Sequence, residues 1–344
     1  MQEKRLNIKE VIIQAPMAAV SVIVLSVFLL LSVFGSWILP DNTPDANRQI
    51  PELPLLKAFE TREFLVNNQE NLTQTLIPVR SKRIHDNKVE VERILSPSGS
   101  TITESYEKEK VEFRTITFYL GTDALGRDIF SRLILGIKTS LLIGFFSVMV
   151  SCVIGIVIGL IAGYFGGWID LLLTTFINSM WSIPTILLVF ALVLAIGRGV
   201  ENIILAIGLT MWIDIARLVR GLAKSIKQKD YVLATKALSY GDARILGRHI
   251  LPNTTDPLIV LATANFATAI LVEAGISYLG FGIQPPAPSV GILLSENYAY
   301  VLGGHYLKAI APAVVIVLMV LALNIIGTAL RDRLSLDVKG VQAG

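Results

Sequence analysis

The chain has 344 residues, 53% of them hydrophobic and 17% charged, with a net charge of +3 and a mean hydropathy of +0.63. That is too apolar for an ordinary soluble domain, and helical membrane spans of about 20 apolar residues are the natural reading. A single cysteine, Cys152, excludes an intrachain disulfide, and three scattered histidines (His85, His249, His305) leave no spacing for a metal cluster or a Cys–His catalytic pair.

In chain order, residues 1–16 carry Lys4, Arg5 and Lys9 and precede the apolar run Met17–Leu39. A cleavable signal peptide would have an apolar region of about 7–15 residues and a small-residue cleavage site. This run is longer and ends in Trp37-Ile38-Leu39-Pro40, an interfacial aromatic followed by a helix breaker, so it reads as a first span leaving a cytoplasmic N-terminus. Residues 40–137 form a polar insert, expected outside the cell membrane. Within it Lys88–Leu95 and Val111–Leu120 alternate, and Ser96-Pro97-Ser98-Gly99-Ser100 is turn chemistry, which predicts a small β-rich module. Its Lys and Arg content is tolerated because long translocated segments escape the positive-inside rule. Asn71-Leu72-Thr73 matches a glycosylation sequon.

Gly121–Gly136 is amphipathic, with Asp123, Arg127, Asp128, Ser131 and Arg132 among apolar residues, and predicts an interfacial helix with locally paired charges. Apolar runs then cover Thr139–Tyr164, Leu171–Ile196, Asn202–Leu222, Thr255–Phe281 and Leu307–Leu330, giving six spans, a core over 138–330 and a cytoplasmic tail over 331–344. Arg331, Arg333 and Lys339 agree with that side for the tail. Pro184, in the third span, should kink or cap it. Gly155, Gly159 and Gly163 form a small-residue ridge suited to close helix packing. Among ionisable groups in the spans, Asp170 lies at an edge, Asp214 and Arg217 share a helix face near a cytoplasmic end, where they should pair, and Glu273 lies deeper. Glu273 either meets a substrate's ammonium group in the pathway or bonds within the bundle.

The polar interval 228–253, QKDYVLATKALSYGDARILGRHILPN, has the pattern of two short helices between spans. Asp230 can cap the first, which carries Tyr231, Ala234, Ala237 and Leu238 on one face. Gly241 suits the turn, and Asp242 can cap a second helix carrying Ile245, Leu246 and Ile250. Pro252 punctuates the start of the next apolar run. Lys224, Lys227, Lys229, Lys236, Arg244 and Arg248 crowd around the interval and place it in the cytoplasm. A helical knob with one apolar face there is a docking surface for a cytoplasmic partner.

Ala234, Ala237, Leu238, Asp242, His249, Ile250, Leu251 and Pro252 resemble the coupling motif of bacterial ABC importer permeases, ending in Leu-Pro. Leu233, Thr235 and Ser239 stand where that motif has Glu, Ala and Gly. Asp123, Gly126, Arg127, Asp128, Ser131, Arg132 and Gly136 match the block before the second span in the C-type permeases of dipeptide and oligopeptide importers. Leu279-Gly280-Phe281-Gly282 and Gln284-Pro285-Pro286-Ala287-Pro288-Ser289 resemble the same branch, with Val290 in place of Trp.

The resemblance covers Gly121 to about Asp337, with the insert outside it. It implies the type I importer permease fold, a non-catalytic bacterial inner-membrane subunit with both termini cytoplasmic, and transport by alternating access. The implied partners are a second homologous permease, two cytoplasmic ATPases that bind the ATP, an extracytoplasmic peptide-binding protein and membrane lipid, with no nucleic acid. Asp230, Tyr231, Ala234, Ala237, Leu238, Gly241, Asp242, His249, Leu251 and Pro252 would form the ATPase joint. Related permeases carry nickel, glutathione or antibiotic peptides, so those cargoes stay open. Consistently, no Gly-rich loop ending in Lys-Ser/Thr gives this chain an ATP site, and no cofactor is expected. A self-sufficient secondary transporter would show inverted repeats or a chain of intramembrane carboxylates, and a membrane-anchored enzyme would show a catalytic constellation in the insert; neither pattern is visible.

Overall fold

The computed structural model describes residues 16–67, 75–85, 88–108 and 111–342, with the backbone alone for residues 67, 75 and 334–342. Lys4, Arg5, Lys9, the Asn71–Thr73 sequon and the Lys339 side chain lie outside the described residues. Leu30–Lys138 with Pro285–Ala313 forms one compact unit, and the other described residues form a second.

The first unit holds a five-stranded antiparallel sheet in the order β4-β3-β2-β1-β5. Its strands are β1 Glu60–Asn67, β2 Thr75–His85, β3 Lys88–Ile94, β4 Thr101–Glu107 and β5 Glu112–Phe118. Phe64, Val66, Leu76, Ile116 and Phe118 cover one face, together with Ile50, Leu53 and Leu56 from the segment before β1. Leu65, Ile77, Val79, Val89 and Val91 pack on the other. The β-rich module is therefore present, and β3 and β5 fall on the two alternating stretches. The Ser96–Ser100 turn closes the β3–β4 hairpin, with Leu95 N donating to Ser100 O. The other three strands carry no alternation for physical reasons. In β1, Phe64, Leu65 and Val66 are all buried because both faces of the sheet are covered. β2 holds Pro78 beside a register shift at Val79/Ser81. β4 is an edge strand without a buried residue.

Gly121–Gly136 is not a separate interfacial helix. Its first half, residues 121–128, is a tight loop pinned by a bridge between Thr122 and Asp128, and its second half is the start of helix α2, Ile129–Phe165. A Cβ at Gly126, where φ is +75°, would lie 1.9 Å from Ile50 O, so only glycine fits. The expected local pairing holds only in part: Asp123 and Arg127 pair within the block, while Arg132 turns to Glu296, 164 positions away, and Asp128 makes no ion pair among the described residues. Arg127 Nε donates to Asp123 at 2.6 Å, and the Arg127 and Arg132 guanidinium groups reach Glu296 at 3.1 and 3.4 Å. Arg132 also donates to Pro286 O at 3.4 Å, and Gly136 backs onto Ser289. The two separate sequence blocks resembling peptide permeases thus meet. Ser289 caps α9, Val290–Tyr298, by accepting from Ile292 N.

The second unit is helical. α1, Pro16–Phe34, ends in a 3₁₀ turn at Trp37, short of the expected Leu39. α3 is Gly167–Trp181, α4 Thr185–Ile196, α5 Val200–Ile226, α8 Thr255–Tyr278 and α10 Tyr306–Gln342, which continues well past the expected Leu330. Among the described residues five helical stretches are long and apolar enough to cross a membrane, Asp242–Tyr278 counting as one of them. α3 and α4 pass together as a broken sixth, bent by 89° where Pro184 stands. α5 is the central helix, with about half of its residues buried, and is packed by α3, α4 and α8. The glycine ridge of α2 lies against it, as its spacing predicts. A Cβ at Gly155, Gly159 or Gly163 would lie 2.5 to 2.8 Å from α5 atoms, including Trp212 O, Ala216 O and Arg220 O.

Candidate functional site: the knob of residues 228–253

Beyond α5 the chain turns through Lys229, whose N donates to Ile226 O, into α6, Asp230–Ala237. Asp230 is the first helical residue rather than the cap, which is Lys229 without a side-chain hydrogen bond. Its carboxylate therefore acts on the helix dipole only. α6 ends with Tyr240 N donating to Thr235 O and Ser239 N to Lys236 O, a Schellman closure with Ser239 at φ 61°. The left-handed residue is thus Ser239, where related motifs have Gly; Gly241 has φ −64° and supplies the cap position of α7, Asp242–Ile245. Asp242 likewise is not a cap. It accepts a 2.5 Å hydrogen bond from the Tyr164 hydroxyl on the last turn of α2. Pro252 has no N–H to give residue 248, and the chain passes through a π turn, Leu246–Ile250, and a 3₁₀ turn, Leu251–Thr254, into α8.

One face of this knob is anchored. Val232, only 2% exposed, packs with Ile245 and Ile250 against Leu160, Tyr164, Ile215, Val219, Ala223 and Ile226. Lys227 adds a brace by donating to Tyr164 O. The other face is open and apolar. Leu238 is 68% exposed, Tyr231, Leu233 and Tyr240 are exposed, and Ala234 and Ala237 lie between them. The Arg244 guanidinium covers part of Tyr240 at 5.1 Å from its ring. Leu251 and His249 are half-buried, and His249 O accepts from Asn253. Tyr231, Ala234, Ala237 and Leu238 therefore share one exposed surface, while Leu251 and His249 serve its base. Sequence reading missed Val232 and Tyr164 as the supports. Val232 was legible from its spacing to the buried face, whereas Tyr164 lies 78 positions from Asp242. A contiguous exposed apolar patch braced on a rigid core is the form of a docking surface.

The intramembrane candidates separate. Glu273 is fully buried and accepts from Ser140 at 2.9 Å and from Ser277 at 2.7 Å, so it bonds within the bundle. Asp170 is held by Arg220, at 2.5 and 2.9 Å. Asp214 and Arg217 do not pair. Arg217 lies over the Trp181 ring at 4.3 Å, and Asp214 makes no ion pair among the described residues. Asp214 is also the fifteenth of the 27 residues of α5, midway along it rather than near an end.

Residues 155–340 match the model of the binding-protein-dependent transport system inner membrane component family. The chain belongs to this family. It is an ABC transporter permease, a multi-pass inner-membrane transport component working with an ATPase and a substrate-binding protein. Permease proteins of the glutathione transport system, GsiD, from Escherichia coli O6:K15:H31 and Shigella boydii serotype 4 are each 40% identical over 227 residues, 66% of this permease and 74% of theirs. A chain of the inward-facing MetNI methionine ABC transporter is 22% identical, over 58% of this permease and 95% of that chain, with a TM-score of 0.47.

Proposed function

We propose that this permease is one of two homologous but distinct transmembrane subunits of an ATP-driven importer of di- and oligopeptides. In this reading the six spans have the type I importer fold, with both termini and the 228–253 knob in the cytoplasm and residues 40–137 outside. Two ATPases take the knobs of the paired permeases, and closure of the ATPase pair on ATP reorients the spans around a substrate released by the binding protein. The observation that carries this is the exposed apolar face of α6, held by Val232, Ile245 and Ile250 on the bundle of a family member. Peptide cargo is supported by the meeting of the two peptide-permease-like blocks at Arg132–Pro286 and Gly136–Ser289. Glutathione, itself a tripeptide, is the second reading, favoured by the relatives at 40% identity. In the same reading the sheet of the insert modulates the outer mouth or the docking of the binding protein.

Loss of the gene should abolish uptake of labelled trialanine by cells; intact trialanine uptake with lost glutathione uptake selects the second reading, and loss of neither overturns both. Ser98→Cys in intact cells should react with an impermeant thiol reagent; protection would overturn the topology. Deletion of 50–115 should weaken binding-protein docking, and unchanged docking and uptake would remove that role.

A further inference from the structure

At the break between α3 and α4 lies a cavity of about 190 Å³, lined by Trp181, Thr185, Leu188, Met211, Asp214 and Asn265 among others. On the same scale one water needs about 10–15 Å³, so the space accommodates a multi-atom ligand. Two of its lining residues, Asn265 and Asp214, carry polar groups that the fold leaves without partners among the described residues. Asn265 is 5% exposed, and its Nδ2 amide is buried with no hydrogen-bond partner. A buried donor left open costs stability, and such groups persist where something else satisfies them. Asp214 stands midway along α5 with no ion pair among the described residues, its expected partner Arg217 being turned onto Trp181. A carboxylate midway along a membrane helix and without a cation is a binding candidate by default. The remaining wall is apolar, from Ile183, Leu188, Met211 and Ile213.

An anion, an N–H donor and an apolar wall around a small cavity select a molecule with an ammonium group, a carbonyl oxygen and short apolar substituents. We propose that this cavity is a substrate subsite that takes the amino-terminal end of a short peptide, Asp214 meeting its ammonium group and Asn265 Nδ2 donating to a carbonyl oxygen. The site rests on the importer reading, and it moves the ligand role from Glu273, whose oxygens are already used by Ser140 and Ser277, to Asp214 and Asn265.

The test is equilibrium dialysis of labelled trialanine against the permease purified with its membrane and ATPase partners, freed of binding protein, with unlabelled trialanine and N-acetyl-trialanine as competitors. Saturable binding is expected, with the acetylated peptide competing at least tenfold worse. Asp214→Asn should weaken trialanine binding at least tenfold and abolish that discrimination. Asn265→Leu, of similar volume, should weaken binding at least tenfold while keeping the discrimination in residual binding, and it carries the test if Asp214→Asn fails to assemble. Absence of saturable binding to the unmodified permease, equal competition by the acetylated peptide, or unchanged binding in an assembled variant would overturn the subsite. The importer reading fails separately, by absence of ATPases from the purified assembly and uptake independent of the gene.

Discussion

The Tyr164 hydroxyl donates to Asp242 at 2.5 Å, joining the last turn of α2 to the first residue of α7. Asp242 itself is exposed while Tyr164 is buried, so the bond lies at the edge where a docked partner would push on the bundle. Tyr164→Phe keeps the ring in the core and removes only the bond. The expected cost is about 1 kcal/mol, reduced from the value for a charged acceptor because water reaches Asp242. ATPase retention should persist while transport-linked hydrolysis falls severalfold, as measured on the reconstituted assembly; unchanged hydrolysis would show that α2 transmits nothing through this bond.

Ser239→Gly should stabilise the knob. Ser239 carries φ 61° at the left-handed end of the Schellman closure, where a side chain costs about 1 kcal/mol relative to glycine. Hydrogen exchange of the α6 amides should slow by roughly fivefold, and faster exchange would mean that the Ser239 side chain compensates its own strain.

Gly159→Ala tests the α2–α5 seam. Its Cβ would lie 2.7 Å from Ala216 O and 2.8 Å from Val219 Cβ, so the helices must part, at about 1–3 kcal/mol. Gly221→Ala in α5 meets nothing within 4 Å and should be neutral or slightly stabilising, since alanine is the better helix former. Thermal aggregation of the detergent-solubilised permease compares the two, and equal midpoints would contradict the seam.

Asp128 gives a pH dependence. Burial pushes its carboxyl up to about 6, with nearby Asp41 adding to the rise, against the hydrogen bonds from Ser131 that favour the anion. Because the folded value lies above the unfolded one near 3.8, its contribution is full below about 4 and is lost as pH rises through 6. Asp128→Asn keeps an acceptor for Ser131 but cannot ionise, so the stability of the variant should vary less between pH 4 and 7. The difference is bounded at about 3 kcal/mol. Parallel pH profiles of the two melting temperatures would contradict a raised carboxyl.

Much of this architecture was legible from residue pattern, because spans and short amphipathic helices are local. The ridge Gly155–Gly163 announced a close packing seam, and Pro184 announced a break. What pattern could not show depended on distant partners. Asp214 and Arg217 have ideal helical spacing for a pair, yet the Trp181 ring, across the break, takes the guanidinium. Asp230 and Asp242 have cap chemistry, but Lys229 and Gly241 occupy the cap positions, leaving Asp242 for Tyr164. The β1 strand was hidden because a sheet covered on both faces loses the alternation that marks a half-buried strand.

The most direct measurement is ATPase retention and substrate-stimulated hydrolysis by an assembly carrying Ala237→Arg, compared with Ala243→Arg on α7. Ala237 lies among the exposed residues Leu233, Leu238 and Tyr240, so a long charged chain there overpacks a docked surface while touching no core residue. The permease with Arg at 237 should insert and melt normally, then lose the ATPases or hold them uncoupled, with at least tenfold less stimulated hydrolysis. Ala243→Arg should lose less. Full retention and coupling with Arg at 237 would show that the α6 face is not the joint.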